Sequence, residues 1–244
     1  MSVPYYERDG ITLYLGDCRE VLPQLDLSTV DITIADPPYN LDLPYGGSRG
    51  TDKVDVESYE QWIATWLNAV PWPLVTFCGT KNLHTFTRVA NPTWTGAWHK
   101  PNAAGGQPLG GFAAWEPVLF YGRPNAPVRH DAWSVALTKQ EFGSDRNTPR
   151  PGKIRTNGVA IHGKVQPGRH PCPKPLPLMW RLVDACTTVG QTVLDPFVGS
   201  GTTLRAAKDL GRQGIGIDNV EAYCEMTVQR LQQEVMHLWE LEEL

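Results

Sequence analysis

Two short apolar runs, each ending in an acidic residue followed by proline, constrain the fold more than any other feature. The first run covers residues 30–35 and ends at Asp36–Tyr39, and the second covers 192–194 and ends at Asp195. Short apolar runs stopped by Pro or Gly are typical of central strands in a parallel sheet. Because ligands bind beyond the carboxyl ends of such strands, we expect each acidic segment to face a ligand.

The second acidic segment continues into a glycine-rich turn and then into a helix expected over 203–210. Gly199 and Gly201 let the backbone approach a ligand closely and adopt positive φ, and the helix start offers unpaired N–H groups. The spacing fits neither the phosphate loop nor G-x-G-x-x-G. The turn therefore favours a nucleotide-like ligand without a pyrophosphate.

Two further acids lie at the ends of predicted strands. Asp218 follows the apolar residues 214–217, where an acid of such a unit accepts hydrogen bonds from ribose hydroxyls. A ribose without a diphosphate fits S-adenosylmethionine. Asp17 follows the predicted strand 11–15 and could receive an adenine amino group, although Gly-Asp is first of all a turn signal.

The first acidic segment suits chemistry on the exocyclic amine of a nucleobase. That amine is a poor nucleophile because its lone pair is delocalised into the ring. The Asp36 carboxylate and the Pro37 carbonyl could accept its two N–H bonds and draw it toward a tetrahedral geometry. Proline fixes the backbone that aims the carbonyl, and Tyr39 could stack on the base. Taken alone, the tetrapeptide is equally compatible with a strand followed by a rigid loop.

The length suffices for one large α/β domain with an insertion, or for one domain and a small satellite, and charge is distributed unevenly along the chain. The 244 residues carry a formal net charge of −4, but the stretch 123–174 holds ten basic residues against three acidic ones. A basic, Gly/Pro-rich stretch of weak periodicity is a candidate nucleic-acid surface. Five scattered cysteines suggest neither disulfides nor a zinc site. The N-terminal residues lack an apolar signal sequence, so we expect a cytoplasmic protein.

Apolar periodicity predicts the remaining elements. Strands are expected at 11–15, 30–35, 74–78, 94–98, 115–121, 192–195 and 214–217. Helices are expected at 19–25, from a capping box at 58–61, at 177–187, at 203–210 and from about Glu221. The tryptophans of the helix after residue 58 are expected to lie in the core.

These motifs together resemble the DNA amino-methyltransferase family, which methylates N6 of adenine or N4 of cytosine. Asp36–Tyr39 matches its catalytic tetrapeptide, and 195–203 matches its cofactor motif D-P-F-x-G-S-G-T-T. The segment 170–175 is similar to its H-P-x-x-K-P element, 215–218 to its acidic strand end and 15–17 to its adenine-side element. The catalytic motif precedes the cofactor motif, which is the order of the β class.

The resemblance implies an α/β Rossmann-like methyltransferase fold. Its sheet has seven strands, mostly parallel with one reversed, and a small irregular target-recognition region is inserted. Strands 30–35 and 192–195 would lie side by side. The implied organisation is an N-terminal part with the catalytic motif over 1–122, a recognition insertion over 123–168, and a cofactor-binding part over 169–244.

The resemblance also implies the site residues. The catalytic set is Asp36, Pro37, Pro38 and Tyr39. The set that binds S-adenosylmethionine is Asp17, Asp36, His170, Pro171, Lys174, Asp195, Pro196, Phe197, Gly199, Ser200, Gly201, Thr202 and Asp218. The residues expected to contact DNA phosphates are Arg146, Arg150, Lys153, Arg155, Lys164 and Arg169. No metal is implied.

Within this family, Asp at position 36 favours adenine, because enzymes acting on cytosine N4 more often carry Ser there. The expected substrate is double-stranded DNA with the target base flipped out of the helix. A homodimer and a partner restriction endonuclease remain open, and no membrane association is expected. The alternatives are methylation of cytosine N4 or of an RNA base, a catalytically idle DNA-binding module, and a methyltransferase acting on protein or small molecules.

Overall fold

The computed structural model describes residues 2–43, 53–102, 113–126, 128–136, 170 and 172–233. Its strands are β1 (Tyr6–Arg8), β2 (Ile11–Leu15), β3 (Ile32–Ala35), β4 (Leu74–Phe77), β5 (Trp94–His99), β6 (Trp115–Tyr121), β7 (Ala132–Ser134), β8 (Thr192–Asp195) and β9 (Gln213–Asp218). Its α-helices are α1 (Cys18–Val21), α2 (Val56–Ala69), α3 (Leu83–Val89), α4 (Leu176–Cys186), α5 (Thr202–Asp209) and α6 (Glu221–Gln232).

One sheet contains all these strands, in the order β1-β2-β9-β8-β3-β4-β6-β5-β7. From β2 to β5 it has seven strands, of which β6 alone runs against the others. The prediction of a seven-stranded sheet with one reversed strand is therefore confirmed. Two short strands extend it, since β1 pairs antiparallel with β2 and β7 pairs parallel with β5.

The strands that precede the two acidic segments are neighbours, as predicted. In the parallel β3–β8 pair, Ile32 lies opposite Val193 and Thr33 opposite Leu194. Asp31 fixes this register at the far end of the strands, because its carboxylate accepts hydrogen bonds from the Thr192 N–H at 2.8 Å and the Gln191 side chain. The segments after Ala35 and Asp195 therefore leave the sheet side by side.

Helix α2 begins earlier than the sequence indicated. We expected a capping box at 58–61, but the helix begins at Val56 and Asp55 is its N-cap. The Asp55 carboxylate accepts hydrogen bonds from the Ser58 N–H at 2.9 Å and the Ser58 hydroxyl at 2.7 Å. The prediction was wrong because Asp55, three residues upstream, is an equally strong capping residue and satisfies the helix's free N–H groups first.

Apolar layers cover both faces of the sheet. Helices α2 and α3 pack on one face around Trp66 and Phe86, and α4 packs on the other around Leu178 and Leu182. Trp66 is fully buried, as expected for a core residue. In the described part of the chain, no helix combines the length and apolar character needed to cross a membrane. The predicted limits of the insertion at 123–168 stay a prediction.

Candidate active site

Asp36 follows β3 and holds one carboxylate oxygen in a fixed position. Its Oδ1 accepts a hydrogen bond from the Tyr39 hydroxyl at 2.8 Å and pairs with Lys174 Nζ at 2.6 Å. No hydrogen bond from any described residue reaches Oδ2 of Asp36. The carboxylate therefore has one occupied oxygen and one oxygen that can accept from a ligand.

The backbone carbonyls after Asp36 also include both occupied and unoccupied hydrogen-bond acceptors. The Pro38 carbonyl accepts from the Tyr59 hydroxyl at 2.7 Å, and the Tyr39 carbonyl accepts from the Asn82 side chain at 2.8 Å. Within the described ranges, the carbonyl of Pro37 has no donor. Side chains from α2 and from the turn after β4 thus hold the loop while its first proline carbonyl stays available.

A second carboxylate lies behind this loop. Glu116 Oε1 of β6 lies 2.6 Å from the Tyr39 hydroxyl, whose single proton it shares with Asp36 Oδ1, and pairs with Lys174 Nζ at 3.2 Å. Its Oε2 pairs with Lys100 Nζ at 3.1 Å. Side-chain exposure is 8% for Lys174, 10% for Glu116 and 11% for Lys100, so two cations and two anions alternate in a largely buried network.

The pKa values follow from burial and from this alternation. Burial raises the pKa of Asp36, and Lys174 offsets that rise only in part. Burial alone would raise the pKa of Glu116, but Lys174 and Lys100 outweigh it and hold the value at about 2. Burial alone would lower the pKa of Lys174, but the two carboxylates keep it above its ordinary value. Lys174 therefore remains a cation between two anions.

The glycine turn after β8 forms the opposite wall. Gly199 has φ +53° and Gly201, which precedes α5, has φ +77°. A Cβ on Gly199 would lie 2.7 Å from His170 Nε2, and one on Gly201 would lie 2.7 Å from Thr227 Oγ1. Glycine is therefore required at both positions by φ and by space together.

Two buried carboxylates brace this turn. Asp218 Oδ2 accepts from the Gly199 N–H at 2.7 Å, and its Oδ1 accepts from the Val220 N–H at 2.9 Å. Asp195 Oδ1 accepts from the Phe197 N–H at 3.0 Å. Burial raises the pKa of Asp195 to about 7 and that of Asp218 to about 6. These groups shape the turn in addition to any contact with a ligand.

Both acidic segments open into one cleft. It is lined by Asp36, His170, Cys172, Pro173, Lys174, Asp195, Phe197, Val198, Gly199, Ser200, Thr202 and Thr203. Among the described residues of this lining, Lys174 is the one cation, and the carboxylates of Asp36 and Glu116 pair with it. The anionic side chains in this lining favour a cationic nucleoside over a phosphate, because like charges repel and opposite charges attract. The cleft therefore fits the predicted S-adenosylmethionine.

The other predicted cofactor residues take different positions. The pKa of His170 falls to about 3 because of burial and the nearby cations Lys174 and Arg230, and its ring packs edge-on against Tyr223 at 4.9 Å. Asp17 does not line the cleft; it caps α1 and pairs bidentately with Arg19. Their contacts with a cofactor stay predictions.

The remaining residues that were predicted to bind the cofactor belong to the glycine turn or lie outside the described residues. Pro196 is buried and Phe197 packs edge-on against Trp66 at 5.2 Å between their ring centroids. The buried Ser200 offers its carbonyl to Arg230 Nε at 2.6 Å, and α5 begins at Thr202. The described ranges do not include Pro171 or the DNA-contact set, namely Arg146, Arg150, Lys153, Arg155, Lys164 and Arg169.

Sequence analysis missed two members of the site, Lys100 and Glu116. The available signal was Glu116 itself, a carboxylate one residue into an otherwise apolar and aromatic strand. A charge in such a strand is expected to be paired, because burial of an unpaired charge is unfavourable. Its partners could not be found from spacing, since Lys100 and Lys174 come from separate parts of the chain.

The sheet order, the reversed strand and the cleft define the class as a Rossmann-like methyltransferase. A family model described as DNA methylase matches residues 91–229, and the chain belongs to this family. Membership confirms the predicted class, an S-adenosylmethionine-dependent DNA amino-methyltransferase.

Relatives and solved structures agree with this assignment. The chain is 26% identical to the type II methyltransferase M.ScaI of Streptomyces caespitosus, over 98% of this chain and 87% of that protein. It is 28% identical to M2.LlaDCHI of Lactococcus lactis subsp. cremoris, over 95% and 93% respectively.

Two solved structures share the fold. M1.HpyAVI in complex with S-adenosylmethionine matches with a TM-score of 0.58 and 23% identity, over 91% of this chain and 100% of that one. The cytosine-N4-specific PvuII DNA methyltransferase matches with a TM-score of 0.67 and 14% identity, over 99% and 93%. The same fold thus occurs in an enzyme named for cytosine N4.

Proposed function

We propose that this protein methylates the exocyclic N6 of adenine in double-stranded DNA. The supporting observation is the pair of available acceptors beyond β3, Asp36 Oδ2 and the carbonyl of the next residue, Pro37, together with the position of Asp36 in the lining of the cleft that also contains the glycine turn. An amino group has two N–H bonds, and two acceptors match them. Asp at position 36, where cytosine-N4 enzymes of the family more often carry Ser, favours adenine.

Residues of the second wall would hold the cofactor. The turn from Gly199 to Thr202 would receive it against the backbone, and the carboxylates of Asp195 and Asp218 would complement its positive charge and its ribose hydroxyls. When bound, S-adenosylmethionine supplies an electrophilic methyl group on a sulfonium. Asp17, His170 and Lys174 complete the proposed set through the adenine side and the cleft wall.

The catalytic wall then activates the acceptor amine. Asp36 and Pro37 draw its two N–H bonds out of the plane of the ring, which frees the lone pair. Pro37 and Pro38 keep the carbonyl aimed, and the ring of Tyr39 supports the base. As positive charge develops on the amine, the Asp36 carboxylate stabilises it in a site shielded from water, and the methylated amine then gives up one of its two protons to this carboxylate. Positioning is the main device, because no covalent intermediate is needed.

DNA is proposed to lie against the basic residues of the insertion. Arg146, Arg150, Lys153, Arg155, Lys164 and Arg169 form this proposed phosphate-binding set. Phosphate contacts make binding sensitive to salt and fix the protein on the duplex without reading sequence. The target base would be flipped into the cleft, because the chemistry cannot reach an amine inside a duplex.

Mass spectrometry of nucleosides tests the proposed base. DNA from a host without methylases is incubated with the protein and S-adenosylmethionine, then digested to nucleosides. We expect N6-methyldeoxyadenosine that increases with time and is absent without the cofactor. If N4-methyldeoxycytidine is the only product, the target is N4 of cytosine and not N6 of adenine. The protein would still be a DNA amino-methyltransferase.

A further inference from the structure

The network around Glu116 is not explained by acceptor or cofactor binding alone. Glu116 lies on the reversed strand β6 and contacts neither of the two available acceptors. Nevertheless it is held in place by three groups, the Tyr39 hydroxyl, Lys174 and Lys100. Four buried charges rarely stabilise a folded protein, because the cost of removing them from water offsets most of the attraction between opposite charges. A functional role is the better explanation.

The contacts show which group Glu116 acts upon. Oδ1 of Asp36 has two partners, the Tyr39 hydroxyl at 2.8 Å and Lys174 Nζ at 2.6 Å. Oε1 of Glu116 touches the same two partners, at 2.6 Å and 3.2 Å respectively. One oxygen of Glu116 therefore fixes both groups that fix one oxygen of Asp36, and the other oxygen of Asp36 has no donor among the described residues.

We propose that Glu116 is a positioning residue for methyl transfer, acting through Lys174 and Tyr39 to hold the Asp36 carboxylate with one oxygen turned toward the acceptor amine. This inference rests on the proposed function for the role of Asp36. Lys100 balances the charge of Glu116 on the side remote from Asp36, and its ammonium also lies 4.9 Å from the centre of the Trp98 ring.

Sharing of Lys174 has an electrostatic consequence. With Glu116 present, the ammonium divides its charge between two carboxylates, so Asp36 keeps part of its negative field for the amine. Without that charge, Lys174 would pair with Asp36 alone and neutralise it more completely. In the described part of the chain, the charged and titratable groups around Asp36 are Lys174, Glu116, Tyr39, Cys172, Asp195 and, through Glu116, Lys100.

The direct test replaces the charge and keeps the shape. Glu116→Gln retains an oxygen for Tyr39 but loses the anion, and the double variant Lys100→Met with Glu116→Gln also removes the cation that would be left unpaired. Glu225→Gln, an exposed change on α6, is the matched control. Three quantities are measured: the single-turnover rate of methyl incorporation into DNA, the affinity for S-adenosylmethionine, and the titration of Asp36 by carboxyl ¹³C NMR, assigned with Asp36→Asn.

We expect both Glu116 variants to lose about tenfold or more in transfer rate while the cofactor affinity stays within about twofold of wild type. We also expect Asp36 to titrate at lower pH than in wild type, because a nearby negative charge has been removed. The rate is followed on whichever base is methylated, so a cytosine product would overturn the proposed base without deciding this test. The NMR titration needs no activity at all.

Three outcomes would overturn the proposal. One is a transfer rate within about twofold of wild type in a folded Glu116 variant. Another is a rate loss matched by an equal loss of cofactor affinity, or an Asp36 titration that does not move. The third is failure of both variants to fold, since the network would then serve folding alone. Glu225→Gln should leave all three quantities unchanged.

Discussion

The backbone N–H of Gly199 donates to Oδ2 of Asp218 at 2.7 Å, so the acid at the end of β9 holds the turn at the end of β8. Loss of this carboxylate should affect the turn before any cofactor is present. We expect Asp218→Ala to lower the free energy of unfolding by roughly 1–3 kcal/mol, because it leaves the Gly199 and Val220 N–H groups unpaired.

Urea unfolding of the cofactor-free protein measures this effect. Glu225→Ala, an exposed change on the neighbouring helix, is the control and should stay within about 0.5 kcal/mol of wild type. Full stability in Asp218→Ala together with weaker cofactor binding would mean that the carboxylate serves the ligand alone.

Gly201 and Gly190 allow the effects of φ and of space to be separated. Both have positive φ, +77° and +84°, but a Cβ on Gly201 would lie 2.7 Å from Thr227 Oγ1 while one on Gly190 meets nothing within 4 Å. We expect Gly190→Ala to cost about 1–2 kcal/mol of stability and Gly201→Ala clearly more. Thermal unfolding of both variants measures the difference.

Thr227→Ala should restore part of the loss caused by Gly201→Ala, because it removes two of the three atoms that would lie too close. The prediction would be contradicted if both glycine variants lost the same stability, or if Thr227→Ala restored none of it. Either result would show that the turn can accommodate a Cβ at residue 201.

Asp195 should leave a signature in the pH dependence of stability. Burial raises its pKa from 3.8 to about 7, so the folded protein holds this proton more tightly than the unfolded chain. The stability that this bound proton contributes is fully present below pH 3.8 and is lost as the pH rises to about 7. Asparagine cannot titrate, so Asp195→Asn should gain stability relative to wild type between these values, by up to ~4 kcal/mol.

Denaturant unfolding of both proteins across that pH interval measures the difference. His170 and Glu116 are present in both proteins and cancel in the comparison, whereas Asp36 and Asp218 interact with the charge of Asp195 and contribute to the difference. A difference that stays constant with pH would mean that Asp195 is ionised normally in the folded protein.

Tyr39 combines a hydroxyl that organises the site with a ring proposed to support the base. Tyr39→Phe removes the hydrogen bonds to Asp36 and Glu116 but keeps the ring, whereas Tyr39→Ala removes both. We expect Tyr39→Phe to lower the transfer rate about tenfold with little change in base flipping. Tyr39→Ala should reduce both, as reported by the fluorescence of 2-aminopurine at the target position. Equal flipping in both variants would exclude the ring as a support for the base.

The basic residues of the insertion should determine how DNA binding depends on salt. Each phosphate contact removed should reduce the slope of log K against log salt by about 0.9. Neutralising Arg146, Arg150 and Lys153 together, measured by fluorescence anisotropy, should therefore reduce the slope while the cofactor affinity stays constant. An unchanged slope would place the phosphate contacts elsewhere.

The two acidic segments show which parts of the structure could be predicted from the sequence. The short apolar runs before Asp36 and Asp195 predicted two strands, and the resemblance to the family predicted that these strands lie side by side. The β3–β8 pairing confirms this. The pairing of Lys174 with Asp36 could not be predicted, because 138 residues separate them and a buried ion pair leaves no periodic pattern. Local rules also could not choose between Asp55 and Ser58 as the start of α2.

The most direct test of the central claim is the single-turnover rate of methyl transfer by Asp36→Asn on unmethylated DNA. This change keeps the shape of the side chain and removes the charge that stabilises the amine. At saturating S-adenosylmethionine, the account predicts a rate at least about 100-fold lower than that of wild type, with an affinity for DNA within about threefold of wild type. Transfer at the wild-type rate by this variant would contradict it.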